Sequence, residues 1–177
     1  RSRQRSVRAG HVNPETMDEA FTLHKAILDL APYYLALSPL DLDFFELMFG
    51  FDLDCKANHN RIVYEALFQD TPLAGLMDVN AGKPLDVQPL LGMGLDERCG
   101  LQAFFEVKTR TTIGQIRADR FRTEPISVFL TVRRNGPIDK VDELPAWLSE
   151  LRRDAERLAS EKLVPHLLTP ICRAIIG

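Results

Sequence analysis

The residues of this chain best placed to do chemistry lie in Leu101–Arg134, LQAFFEVKTRTTIGQIRADRFRTEPISVFLTVRR. Glu106 and Lys108 stand two apart on a segment of alternating apolar and polar residues, so both project from the same side of a strand. A carboxylate and an ammonium in that relation, joined by a second carboxylate, suit metal-dependent phosphodiester cleavage. Carboxylates hold Mg²⁺ with few protein ligands and several retained waters. The metal activates water and stabilises the phosphorane oxygens, and Lys108 would orient the nucleophile. The second carboxylate would be Asp96, or Asp52 or Asp54 from a neighbouring strand, so the candidate metal ligands are Asp52, Asp54, Asp96 and Glu106.

Glu106-Val107-Lys108, on a strand with an acid upstream, resembles the core motif of the PD-(D/E)xK nucleases; the resemblance spans residues 96–134 at most. It implies a Mg²⁺ cofactor with Glu106 and Lys108 as catalytic groups. A glutamine often follows in a helix in that family, and Gln115 would then take its place. The competing reading needs no cofactor. In it, Glu106 and Lys108 belong to the polar face of an antiparallel sheet and pair across strands with groups such as Arg133.

A binding role rests on the same stretch. Residues 101–134 carry seven Lys/Arg against three Asp/Glu, a local net of +4, whereas residues 14–100 carry five against fifteen, a net of −10. Lys108, Arg110, Arg117, Arg120, Arg122, Arg133 and Arg134 would form a basic surface around the two strands, with Phe104 and Phe129 on its outward face. Arginine beside exposed aromatics on a sheet can hold single-stranded nucleic acid through phosphate contacts and stacking. The alternative is that this surface docks on the acidic part of the chain or on a second subunit.

Other constellations are weaker. Asp52-x-Asp54 lacks calcium-loop spacing. His59, between Asn58 and Asn60, reads as turn and capping chemistry. Cys99 has no recognisable base partner. There is no G-x-S-x-G, P-loop or G-x-G-x-x-G motif, and no Cys/His group with zinc spacing. Three well-separated cysteines (55, 99 and 172) fit reduced thiols in a cytoplasmic compartment. No apolar run approaches the roughly 20 residues that span a bilayer, so no membrane partner is expected. The first residues, RSRQRSVR, hold four arginines and no acid; residues 1–13 read as a flexible basic tail.

The elements that must position these groups can be read from periodicity. Residues 14–31 read as a helix with Asn13 as N-cap, Pro14 at the first position and Pro32 as terminator. From about Glu46 to Cys55 a strict alternation puts Leu47, Phe49, Phe51, Leu53 and Cys55 on one face. KANHN (56–60) caps a helix over 60–69, and Thr71-Pro72 opens a further helical turn. Residues 79–100 read as a long loop. Strands are expected at 101–110 and 126–133, with 111–123 open between a strand extension and a short helix. A helix from about 144 carries the stripe Leu148, Leu151, Ala155, Leu158, and Pro165 and Pro170 break the chain beyond it.

At 177 residues and 45% hydrophobic, one compact domain over 14–177 is the expectation. Its class is α+β: a small, mainly antiparallel sheet with an N-terminal helix and C-terminal helices on one face. The function expected is a non-enzymatic binding or assembly protein. It would act through a charged, Arg-rich sheet face, with Arg110, Arg117, Arg120, Arg133, Phe104 and Phe129 as binding residues. A protein partner or self-association is expected, and nucleic acid is a further candidate. The alternative is a Mg²⁺-dependent nuclease.

Overall fold

A computed structural model describes residues 6–79 and 82–177. The class is α+β, as the pattern implies. In chain order the elements are α1 (Met17–Leu35), β1 (Phe44–Cys55), α2 (His59–Leu67), β2 (Leu90–Gly94), β3 (Leu101–Lys108), α3 (Ile113–Ala118), β4 (Glu124–Asn135), α4 (Leu144–Leu158) and α5 (Thr169–Ile176). One four-stranded sheet runs in the order β1-β4-β3-β2. The β2–β3 and β3–β4 pairs are antiparallel. By backbone packing the chain forms two compact units, residues 1–45 with 135–150 and residues 46–134 with 151–177.

In the smaller unit, α1 starts three residues later than its Asn-Pro signal implies. Asn13 adopts a left-handed conformation, φ 49°, and Thr16 is the cap, its hydroxyl accepting from the Glu19 N–H at 3.2 Å. Pro32 does not end the helix, which closes at Ala36, φ 49°. Pro32 sits in the last turn, where one lost bond and one crowded carbonyl leave little helix to disrupt. Residues 6–13, the described part of the expected tail, carry no helix or strand; the first five residues lie outside the described residues. Ile138, Leu144 and Trp147 form this unit's core, with Leu28, Leu42, Phe45 and Val141 against them.

The larger unit holds the sheet. Ala103, Phe105 and Val107 of β3 and Ile126, Val128, Leu130 and Val132 of β4 are buried on one face. The alternation in sequence predicts that set. Buried residues of the helices complete this core: Ile62 and Val63 in α2, Ile116 in α3, Leu151, Ala155 and Leu158 in α4, and Ile171 in α5. α2 and α5 pack together.

The structure corrects two further expectations and decides one that the sequence left open. The long loop at 79–100 contains β2, a strand whose LLGMG sequence alternates too weakly to be legible. The open segment 111–123 resolves as α3, capped by Thr112. Pro165 and Pro170 do not break the C-terminal helix, which runs on through Ala159–Leu168 as a π-helical segment into α5. A wider turn gives the Pro165 ring room that an α-helical turn would deny it.

Candidate functional site

The outward face of the sheet gathers most of the candidate residues. The β3–β4 register sets Gln102 opposite Arg133, Phe104 opposite Thr131, Glu106 opposite Phe129 and Lys108 opposite Ser127. On the β1 side Arg133 meets Glu46, with Nη2 at 2.8 Å and Nε at 3.1 Å from one carboxylate oxygen, and the Ser127 hydroxyl donates to Asp52. On the β2 side Gly92 stands opposite Phe104 and Leu90 opposite Glu106.

Two glycines shape this surface. A Cβ on Gly50 would lie 3.1 Å from the Phe129 ring, and one on Gly92 would lie 2.9 Å from the Phe104 ring. Each phenylalanine ring therefore occupies the space that a side chain on the glycine of the neighbouring strand would fill, an arrangement that covers glycines in strands. Arg133 is stacked on Phe104 at 5.2 Å from the ring centroid. Thr131 and Ser127 are buried between these groups, and Met48 is exposed at the rim. The result is a half-buried aromatic platform edged by charges.

Those charges are largely paired within the face. Arg133 is held by Glu46. Lys108 Nζ lies 3.1 Å from the Glu106 carboxylate on its own strand. Arg110 donates its guanidinium N–H to the Pro125 carbonyl, beyond the end of β3. Arg117, on α3, and Arg120, just after it, are exposed and away from the strands. The six expected binding residues thus divide: Phe104, Phe129 and Arg133 share the platform, and Arg110, Arg117 and Arg120 do not.

The residues expected to hold Mg²⁺ do not come together. Asp96 caps the β2–β3 connection, accepting from the N–H groups of Arg98 at 2.9 Å, Gly100 at 3.0 Å and Leu101 at 2.6 Å. Those bonds, the one from Leu101 foremost, hold its carboxyl below the usual carboxylate range. Glu106 lies five residues beyond Leu101 along β3, roughly 17 Å away at the usual strand rise. Asp52 and Asp54 are on β1, with β4 between them and Glu106. Among the described residues no three His, Cys, Asp or Glu side chains converge on one point. Gln115 closes a capping box, its side-chain oxygen accepting from the Thr112 N–H at 2.7 Å, and its amide N–H reaches Glu124 at 3.5 Å.

The sequence undervalues the Asn-His-Asn cluster. Asn58 caps α2 through the Asn60 and Arg61 N–H groups. Asn60, almost fully buried, donates to the Leu85 carbonyl at 2.9 Å, and its oxygen accepts from Val87 N–H at 3.0 Å and the Thr109 hydroxyl at 2.6 Å. The equally buried His59 accepts from the Arg110 N–H at Nδ1, 3.2 Å. Its proton is therefore on Nε2, which faces the Cys55 carbonyl at 3.4 Å. Burial pushes its pKa below the usual histidine value, and Arg110 adds to that. The cluster pins the ends of β1 and β3 and the 84–87 segment to one helix start. It works as a structural joint, with these polar atoms already engaged. A groove of about 340 Å³ beside it is lined by Arg61, Glu65, Lys83, Ile116, Asp119 and Phe121 among others. Arg61 and Glu65 are paired there at 2.6 Å.

No protein-family model, no curated protein and no solved structure matches this chain. No helix among the described residues is long and apolar enough to cross a membrane.

Proposed function

We infer that the protein is a non-catalytic binding or assembly protein that receives a protein partner on the outward face of its sheet. The supporting observation is the platform of Phe104 over Gly92, Phe129 over Gly50 and Arg133 stacked on Phe104, rimmed by Met48. Rigid aromatics beside an arginine are the residues that dominate protein interfaces. The charge on the face favours a protein over a polyanion: Arg133 and Lys108 stand with Glu46, Asp52, Asp54 and Glu106. A surface that has already neutralised its cations has few counterions to release from phosphates.

Selection of peptides from a random display library on the purified protein tests this. Enriched peptides should lose binding to Phe129→Ala and Arg133→Ala while both variants stay folded. Failure to enrich any ligand sensitive to these substitutions would sink the reading. Salt-dependent retention of single-stranded oligonucleotides, lost on Arg117→Ala/Arg120→Ala, would instead favour nucleic acid.

The second reading, a Mg²⁺-dependent nuclease, draws on the closeness of Glu106 and Lys108 on this face. Labelled DNA or RNA incubated with Mg²⁺ or Mn²⁺ decides it. Cleavage lost on Glu106→Ala supports the enzyme; no cleavage, with no metal-induced thermal shift, removes it.

A further inference from the structure

We propose that β2 is a self-pairing edge: two copies of the chain join antiparallel through Leu90–Gly94, with Gly92 facing Gly92 of the partner copy on a twofold axis. This rests on the reading of the chain as an assembly protein only in making a second copy the occupant; it uses the edge and not the Phe129 side of the platform.

The backbone is already set for such pairing. The Val107 N–H donates to the Pro89 carbonyl, and the Leu95 N–H donates to the Leu101 carbonyl. In an antiparallel ladder, hydrogen-bonded pairs alternate with non-bonded ones. Residues 89, 91, 93 and 95 therefore turn their main-chain groups toward β3, and Leu90, Gly92 and Gly94 turn theirs outward. β2 is the last strand of the sheet, and among the described residues nothing pairs with that row. An unpaired edge is a template for another strand, and proteins usually blunt it with charge, proline or a bulge. The other edge is blunted: β1 carries Glu46, Asp52 and Asp54. β2 carries no charged residue along its length.

The side chains favour the same contact. Leu91 stands opposite Phe105 and Met93 opposite Ala103, so both extend the buried face of the sheet. Yet Leu91 is 62% and Met93 46% exposed, and Leu90 is 60% exposed on the other face. The cover over the apolar face stops one strand short. Pairing 90 with 94 and 92 with 92 also sets Leu91 of each copy opposite Met93 of the other. Both are then non-hydrogen-bonded neighbours, the closer kind.

This register is also self-complementary in shape and charge. Gly92 faces itself, so no side chain of the paired strands stands at the axis, and the Phe104 ring that lies over each Gly92 is brought toward its counterpart across it. Leu90 of one copy faces Gly94 of the other, where Cys99 Sγ occupies the space over the glycine. No like charges oppose one another within the paired strands, and Lys83 and Asp86 offset each other just before them. A heterologous extended peptide would need none of this symmetry.

Sedimentation velocity over a concentration series, with charge substitutions at the exposed positions, tests the register itself. The wild type should show a monomer–dimer equilibrium that is lost in Leu91→Lys and, separately, in Met93→Glu, with far-UV circular dichroism unchanged in both. Mixing the two variants should restore a heterodimer, because the ammonium introduced at position 91 of one chain then faces the carboxylate introduced at position 93 of the other. Phe129→Ala should still dimerise. A wild type that stays monomeric at every concentration overturns the proposal while leaving the peptide-binding result for the platform untouched. A dimer that survives both substitutions, or variants that fail to rescue each other, overturns this edge and this register.

Discussion

At the scale of single residues, the polar side chains with the most to lose are those that look least like a site in the sequence. Asn60 is 1% exposed and serves three partners on two segments. Truncation strands the Leu85 carbonyl, the Val87 N–H and the Thr109 hydroxyl. Asn60→Ala should therefore lower unfolding free energy by about 2–3 kcal/mol, read from urea denaturation; a loss within error of zero would mean that water replaces the amide. His59 makes stability depend on pH, and so does His24, whose pKa is also lowered, by burial and then by His11. Above the unfolded value of 6.5 the rings are neutral in both states. Below it the unfolded chain takes up protons that the folded rings resist, so stability falls with pH until the lower folded values are passed. The urea midpoint should accordingly drop between about pH 7.5 and pH 5.5, with a shallower slope in His59→Asn. A flat profile would show that these rings titrate freely in the fold.

At the scale of elements, alternation explains the sheet better than composition does. β1 keeps the expected parity throughout, with Leu47 and Cys55 buried and Met48, Gly50, Asp52 and Asp54 exposed. β4 departs from it: Ser127 and Thr131 on its polar side are also buried. Its neighbours β1 and β3 lay Phe104 and Asp52 around it, and Phe129, its own residue, reaches over Gly50. That ring–glycine fit is testable as a coupling. Gly50→Val should crowd the Phe129 ring and destabilise by about 1–3 kcal/mol. In a Phe129→Ala background the same change should be better tolerated, giving an interaction energy of about 1 kcal/mol in a double-mutant cycle. Strict additivity would mean that the ring swings clear without cost.

At the scale of the whole molecule, the two compact units differ in how much they bury. The smaller is built on Ile138, Leu144 and Trp147, whereas the buried strand residues of β3 and β4 belong to the larger. Trp147 is the chain's only tryptophan, so its fluorescence reports on the smaller unit. Its transition in urea should come at lower concentration than the far-UV circular dichroism transition, since less buried apolar area means less stabilisation. Coincident transitions would show one cooperative system. The sequence by itself determined the α+β class, the apolar faces of β1, β3 and β4 and the capped start of α2, because period, cap and turn chemistry act over a few residues. It misjudged the start of α1, the proline positions and β2, where weak or competing local signals were resolved by neighbours. Only the tertiary structure decided which charges meet: Arg133 with Glu46 across strands, Asp96 spent on a turn, and Asn60 and His59 locked into a joint. Residues far apart in the chain acquire partners only through strand order and register, and no local pattern encodes those.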